Sequence, residues 1–289
     1  MDTLVYVIGR IFVAGIQCLP LLTVARLGRF FGGLAYRLDA RHRRVVLDNL
    51  TRCFGKEKSA TEIADIARET FHRIGENYLS AVKTSAMTAE ALKPHVEFVG
   101  LDRLPQKKGD ELLPSVVVAI GHFGNFEIYA RIHDARPDYR CATTYRALKQ
   151  AGLNRLLLAL RNTSGCQYFE RRADGPLLRV AMNEGGIVLG LLADQSSKGL
   201  RGPFLGQDCN TGLAPAVLAL RYQACLRTGI CYRVGLARWR LELGDEITTH
   251  ADGHPRPSED IMREVNQALE VAVRRDPANW FWVHRRWKD

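Results

Sequence analysis

A histidine and a glutamate stand five positions apart in SVVVAIGHFGNFEIYA, residues 115–130, where an apolar, mostly β-branched run stops at glycine. An imidazole beside a carboxylate is a general base with an orienting partner. The carboxylate accepts from one ring nitrogen, fixes the tautomer and leaves the other nitrogen to take a proton. Such a pair deprotonates a hydroxyl as it attacks an acyl carbonyl. On one continuous helix His122 and Glu127 would point about 140° apart. They converge if His122 stays in a loop and a helix starts at about Asn125, a favoured N-cap, with Gly121 and Gly124 loosening the backbone. Glu127 then falls in the first turn, where the helix dipole favours its ionised form. A bare His-x4-Glu recurs by chance, and a lone histidine is more often structural. Placement at a strand end between glycines raises the chemical reading, with His122 as base and Glu127 as its orienter, to a par with the structural one.

The elements that must position this pair follow from the pattern of the rest of the chain. HVEFVG, SVVVAIG, YRCATTY and GIVLGLLAD read as strands, and helices near 125–134, 149–162 and 174–184 separate the last three. Strand–helix alternation with continuously apolar strands predicts an α/β fold, a mixed and mostly parallel sheet covered by helices on both faces. Sites in such sheets form beyond the carboxyl ends of the strands, so Asp194 and Gln195, which end GIVLGLLAD, are expected beside His122. Further on, Leu213–Arg227 reads as a helix, GICYRVGLARWRLEL as a strand or strand pair, and HADGHPRPS as a loop. Ser258 is a candidate cap for a helix that places Ile261, Val265, Leu269 and Val273 on one face. Upstream, ARHRRVVLDNLTRCFG reads as a basic helix stopping at Gly55, and residues 60–80 as an amphipathic helix. The expected organisation is residues 1–38 as apolar membrane-associating helices, 39–94 as a helical segment packed on the catalytic domain, and 95–289 as that α/β domain.

With 46% hydrophobic and 25% charged residues in 289, the chain has enough apolar material for a sizeable core and is not disordered. Its net charge of +10 calls for an anionic partner: nucleic acid, an anionic membrane or an acidic protein. Basic residues are spread along the chain, with clusters at Arg41–Arg44 and His284–Lys288, and no nucleic-acid-binding signature accompanies them. IFVAGIQCLPLLTVA, residues 11–25, is bracketed by Arg10 and Arg26; with Pro20 inside it is short for a spanning helix. The expectation is helices lying in one leaflet, arginines at the headgroups, with buried core helices as the alternative. Seven cysteines show no metal-like spacing and read as reduced packing residues. The remaining histidines are spaced for no metal.

The quoted stretch resembles the His-x4-Asp/Glu signature of glycerolipid and lipid A acyltransferases. The chain as a whole resembles the bacterial lipid A biosynthesis acyltransferase family, in ordered segments from about residue 43 to 288. RRVVLDNLTRCFG is similar to that family's Arg-x-Asn-Leu-x-x-x-Phe element, with Asp48 before Asn49 and glycine where proline is usual. TTYRALKQAGLNRLLLALRNTSG resembles the segment with Tyr-Arg and a later arginine, and LLADQSSKG…GPFLGQDCNTGLAPAVLAL the Asp-Gln stretch before a Thr-Gly helix. PANWFWVHRRWKD resembles the terminal His-Arg-Arg-x-Lys element. The segment between Asp194 and PFLG is short, which bears on the acceptor more than on the chemistry.

The resemblance implies a membrane-associated O-acyltransferase at the cytoplasmic face of the bacterial inner membrane, peripheral or monotopic. It would move a fatty acyl chain from acyl carrier protein, or second from acyl-CoA, to a glycolipid hydroxyl, most readily a lipid A precursor, with no metal or other cofactor. It implies His122 as base, Glu127 as orienter and Arg161 as the charge for the oxyanion. Arg146 would bind acceptor phosphate, and Asp194 and Gln195 would hold the geometry or the acceptor sugar. His284, Arg285 and Arg286 would grip phosphate or seal the terminus onto the domain. Competing readings are an acyltransferase on another acceptor (an ornithine lipid or a phosphoinositide glycan) and a non-catalytic basic membrane-binding protein.

Overall fold

A computed structural model describes residues 2–107, 109 and 112–287. The chain opens with four long helices, α1 (Asp2–Cys18), α2 (Leu21–Leu38), α3 (Ala40–Phe54) and α4 (Ala60–Thr84), and the single turn α5 (Ala89–Leu92). The strands follow as β1 (Val96–Val99), β2 (Val116–Ile120), β3 (Arg140–Tyr145), β4 (Gln167–Glu170), β5 (Ile187–Leu192), β6 (Ser196–Phe204), β7 (Gln207–Thr211), β8 (Cys225–Gly235) and β9 (Arg238–Ile247). Residues 250–258, expected as a loop, carry the two-residue strands β10 (His250–Ala251) and β11 (His254–Pro255). Between and after the strands lie α6 (Ile132–Ala135), α7 (Ala151–Arg161), α8 (Gly175–Asn183), α9 (Ala214–Arg221) and α10 (Ser258–Arg275).

Seven strands form one sheet in the order β1-β9-β8-β2-β5-β3-β4, parallel throughout except at the β8–β9 hairpin. The mixed, mostly parallel α/β fold is therefore the one the strand pattern predicts. The central strand is buried on both sides, and its period of two divides the core into two layers. Val117 and Ala119 meet Leu189, Phe71, Leu50, Ile261 and Val265 on one face. Val116, Val118 and Ile120 meet Val188, Ile128, Tyr129 and Trp239 on the other. Two boundaries differ from expectation. The helix predicted over Leu213–Arg227 stops at Arg221, because the chain turns through Gln223 at φ 49° and Cys225 enters the sheet beside β2. The last long helix is N-capped by Pro257, with Ser258 already helical.

Two devices knit the helical segment together and tie it to the sheet. The first is close approach of α2 and α4. A Cβ on Gly28 would lie 2.5 Å from Gly75 O, and one on Gly32 would lie 2.2 Å from Phe71 O, so the helices cross backbone on backbone. The second is charge. Glu69 takes Arg29 Nη2 at 2.7 Å and Arg73 Nε at 2.8 Å, and Arg73 Nη1 reaches Asp276 at 2.6 Å. One helical turn on, fully buried Glu76 accepts from Arg233 Nε at 2.8 Å and from the Ala237 N–H at 3.0 Å, which ties α4 to the β8–β9 hairpin. The outward faces of the first two helices stay apolar: Leu4, Val7, Ile8, Ile11 and Phe12 on α1, and Leu22, Phe30, Phe31, Leu34 and Leu38 on α2 are exposed. No helix among the described residues is long and apolar enough to cross a membrane. All seven cysteines are free thiols.

Candidate active site

His122 and Asp194 meet because their strands are neighbours in register. Ile120 pairs with Leu192 across β2 and β5, and each functional residue lies two positions beyond its strand end. The loop after β2 has little freedom. A Cβ on Gly124, at φ +51°, would lie 2.5 Å from Cys231 O. The Gly124 N–H donates to Asn279 O at 3.1 Å, so the C-terminal PANWF segment clasps the loop. Asn279 is held in turn, donating to Cys231 O at 3.0 Å and accepting from the Arg233 N–H at 3.2 Å.

Within this frame Asp194, fully buried, collects three donors. The His122 N–H reaches its Oδ2 at 2.7 Å, His122 Nδ1 its Oδ1 at 2.8 Å, and Trp280 Nε1 its Oδ2 at 2.8 Å. Burial alone would raise the Asp194 carboxyl, but the neighbouring His122 and its hydrogen bonds outweigh it and hold the group well below the usual carboxylate range. An ionised carboxylate only accepts, so the His122 proton sits on Nδ1 and Nε2 presents its lone pair to the cleft. Two rings steady the imidazole: Phe126 edge-on with centroids 5.0 Å apart, and Phe281 at 5.7 Å.

This arrangement corrects the pairing read from the sequence. Glu127 does lie at the start of a helical stretch, a 3-10 segment Phe126–Arg131 continued by α6. It does not orient His122. Glu127 instead takes Arg161 in a two-pronged pair, Nη2 to Oε1 at 2.5 Å and Nε to Oε2 at 3.2 Å. Arg161, at the end of α7, lies over the Tyr168 ring at 5.2 Å. Burial pulls its guanidinium down, yet Glu127 more than compensates and the group is raised above its ordinary value. Asn125 caps the stretch in position only; its side chain donates to Thr84 Oγ1 at 3.4 Å.

Two cavities meet at these residues. One, about 290 Å³, is mainly apolar, with Ile74, Tyr78, Val82, Leu157, Leu160 and Phe281 on its walls. The other, about 720 Å³, carries Thr144, Arg146, Glu170, Arg171, Gln195 and Ser197. His122, Phe126, Glu127, Arg161 and Tyr168 line both. Gln195 Nε2 lies 3.4 Å from His122 Nε2, and Arg146 is exposed at the end of β3. Asp194, Gln195 and Arg146 thus stand where the sequence places them.

Of the two roles expected for the terminal basic residues, Arg286 takes the sealing one and not phosphate binding. Arg286 is fully buried; it donates to Asn210 O at 3.0 Å and Thr211 Oγ1 at 2.8 Å, and lies over Phe204. Burial lowers its guanidinium, and it can hold no substrate phosphate there; it pins the tail to β7. Arg285 is exposed but lines neither cavity. His284 turns inward, its Nδ1 donating to Phe281 O at 3.0 Å. Lys288 lies outside the described residues. Among the described residues no group of three or more His, Cys, Asp or Glu is placed to hold a metal ion. Sequence reasoning missed Trp280, Phe281 and Asn279 as parts of the site; it matches the PANWF run as part of a terminal motif but draws roles only for the basic residues behind it.

An α/β sheet here carries a histidine oriented by a buried carboxylate, where a mainly apolar cavity meets a larger one of mixed lining, an arrangement suited to acyl transfer. The family model for bacterial lipid A biosynthesis acyltransferases matches residues 1–289, the whole chain. The chain belongs to that family and is an acyltransferase of lipid A biosynthesis. No curated protein matches it.

Proposed function

We propose that the protein transfers a fatty acyl chain from the thioester of acyl carrier protein to a hydroxyl of a lipid A precursor, working at the cytoplasmic face of the inner membrane. The observation that carries this reading is the meeting, at His122, of a mainly apolar cavity and a larger one whose mixed lining includes Arg146, Arg171 and Ser197. The acyl chain lies among Ile74, Tyr78, Val82, Leu157 and Leu160; the sugar-phosphate acceptor lies in the larger cavity near Arg146, Arg171 and Ser197. The acceptor hydroxyl takes the place of the Gln195 amide beside His122 Nε2, which removes its proton as the oxygen attacks the thioester carbonyl. Negative charge develops on the carbonyl oxygen. Arg161, with Nε and Nη2 committed to Glu127, offers Nη1 to it in a partly water-excluded site. Collapse expels the thiolate, which recovers the proton from Nε2. Asp194 stabilises the imidazolium that exists between the two transfers.

The acidic carrier matches a chain of net charge +10. The exposed apolar faces of α1 and α2 support seating in one leaflet. Mass spectrometry of the host's glycolipids with and without the gene tests the acceptor. Loss of one acyl chain from lipid A is expected. An unchanged lipid A with a change in an ornithine lipid or phosphoinositide glycan would move the assignment to that acceptor.

A further inference from the structure

A groove of about 470 Å³ lies apart from both cavities and shares no residue with them. Arg41, Arg44, Asp48 and Arg52 form one wall, a stripe at three-and-four spacing along α3. Arg285 and Trp287 of the C-terminal segment form the other. The walls are fixed relative to each other, because Asn49 on α3 donates to Trp282 O and His284 O, both at 2.9 Å. None of the four guanidiniums has a carboxylate within ion-pair distance among the described residues, and Asp48 is the single acid among the lining residues. Elsewhere in the helical segment Arg29, Arg68 and Arg73 each hold a carboxylate, and Arg43 donates to the Tyr36 and Arg37 carbonyls.

We propose that this groove is a binding site for the phosphate headgroup of an anionic membrane lipid, distinct from the acyl and acceptor cavities. Guanidinium forks match phosphate oxygens in pairs, and four of them against one aspartate leave the groove strongly cationic. Its place in the fold selects the lipid. Leu34 and Leu38, on the outward apolar face of α2, are exposed, Leu38 at 74%, and α3 begins two residues after Leu38. The row of arginines therefore begins three residues after the exposed apolar end of α2, the surface read as meeting acyl chains. The inference rests on the reading of a membrane-seated enzyme but not on its chemistry.

Vesicle partition of the full chain tests it, with phosphatidylcholine alone and with phosphatidylglycerol added. Arg41→Gln/Arg44→Gln is expected to lower partition onto the anionic vesicles by roughly 25-fold, about fivefold per arginine, and to leave partition onto neutral vesicles unchanged. Arg221→Gln/Arg238→Gln removes the same charge away from the groove and is expected to change partition less than threefold. Equal losses in the two double variants would overturn the proposal. So would normal vesicle binding with lost affinity for acyl carrier protein, which would assign the groove to the carrier. A second measurement needs no variant: phenylglyoxal labelling of the wild-type chain, read by mass spectrometry. Protection of Arg41, Arg44, Arg52 and Arg285 by anionic but not neutral vesicles supports the site, and unprotected labelling contradicts it. Acyl transfer to a detergent-dispersed acceptor, measured alongside, reports separately on the enzymatic reading and is expected to persist in the groove variants.

Discussion

At His122 the ring nitrogen on the Asp194 side is committed and the one on the cleft side meets only the Gln195 amide at 3.4 Å, which sets what each neighbour contributes. Asp194 is the orienter, and Glu127 acts one step away by holding Arg161. Asp194→Asn is therefore expected to lower the acyl-transfer rate at least about 100-fold, measured on the folded fraction. Glu127→Gln is expected to produce a loss that is not additive with Arg161→Gln, because the two side chains form one unit. Full activity in Asp194→Asn with additive losses at Glu127 and Arg161 would return the orienting role to Glu127. The histidine itself was legible in the sequence, since strand, glycine and helix-start signals surround it. Its partner was legible only in part, since the sequence places Asp194 nearby but assigns the orienting role to Glu127. Asp194 is 72 residues away, and its contact with Nδ1 depends on the β2–β5 register, which the strand-end pattern alone does not specify. Arg285 and Arg286 read alike as letters, yet one side chain faces solvent and the other fills the core.

At the scale of elements, α2 and α4 carry the load of fixing the helical segment. Their glycine crossing is geometric and indifferent to pH, whereas the Arg29–Glu69–Arg73 cluster is not. Burial works to raise the Glu69 carboxyl, but its bonds to Arg29 and Arg73 prevail and bring it down to about 2 from an ordinary 4.5. The unfolded chain thus binds this proton more readily. The stabilisation is complete above pH 4.5 and is lost as pH falls from there through about 2. Denaturation midpoints measured across that window are expected to fall in the wild type and to fall less steeply in Glu69→Gln. Equal slopes would contradict the assignment. Most of the elements were legible: the amphipathic spacing of α4, the basic run of α3 and the apolar strands β2 and β5 each appear as expected. Short β4 and the polar β6–β7 hairpin, whose order depends on packing against the tail, went unread.

The whole molecule joins an apolar two-helix face, a sheet that sets a base at its carboxyl edge and a C-terminal clasp that fixes that base. Composition disclosed the positive charge and the apolar N-terminus, but the clasp is a long-range feature and showed only once the chain was folded. The clasp also links the site to the cationic groove, because the segment that places Trp280 on Asp194 goes on to place Arg285 opposite α3. The central claim is that this assembly moves an acyl chain through His122. It is tested by incubating the full chain, on vesicles, with an acyl carrier thioester and a lipid A precursor and weighing the product. The wild type is expected to add one acyl chain, and a folded His122→Ala to do so at least about 100-fold more slowly. Product formed by His122→Ala at the wild-type rate would contradict the account.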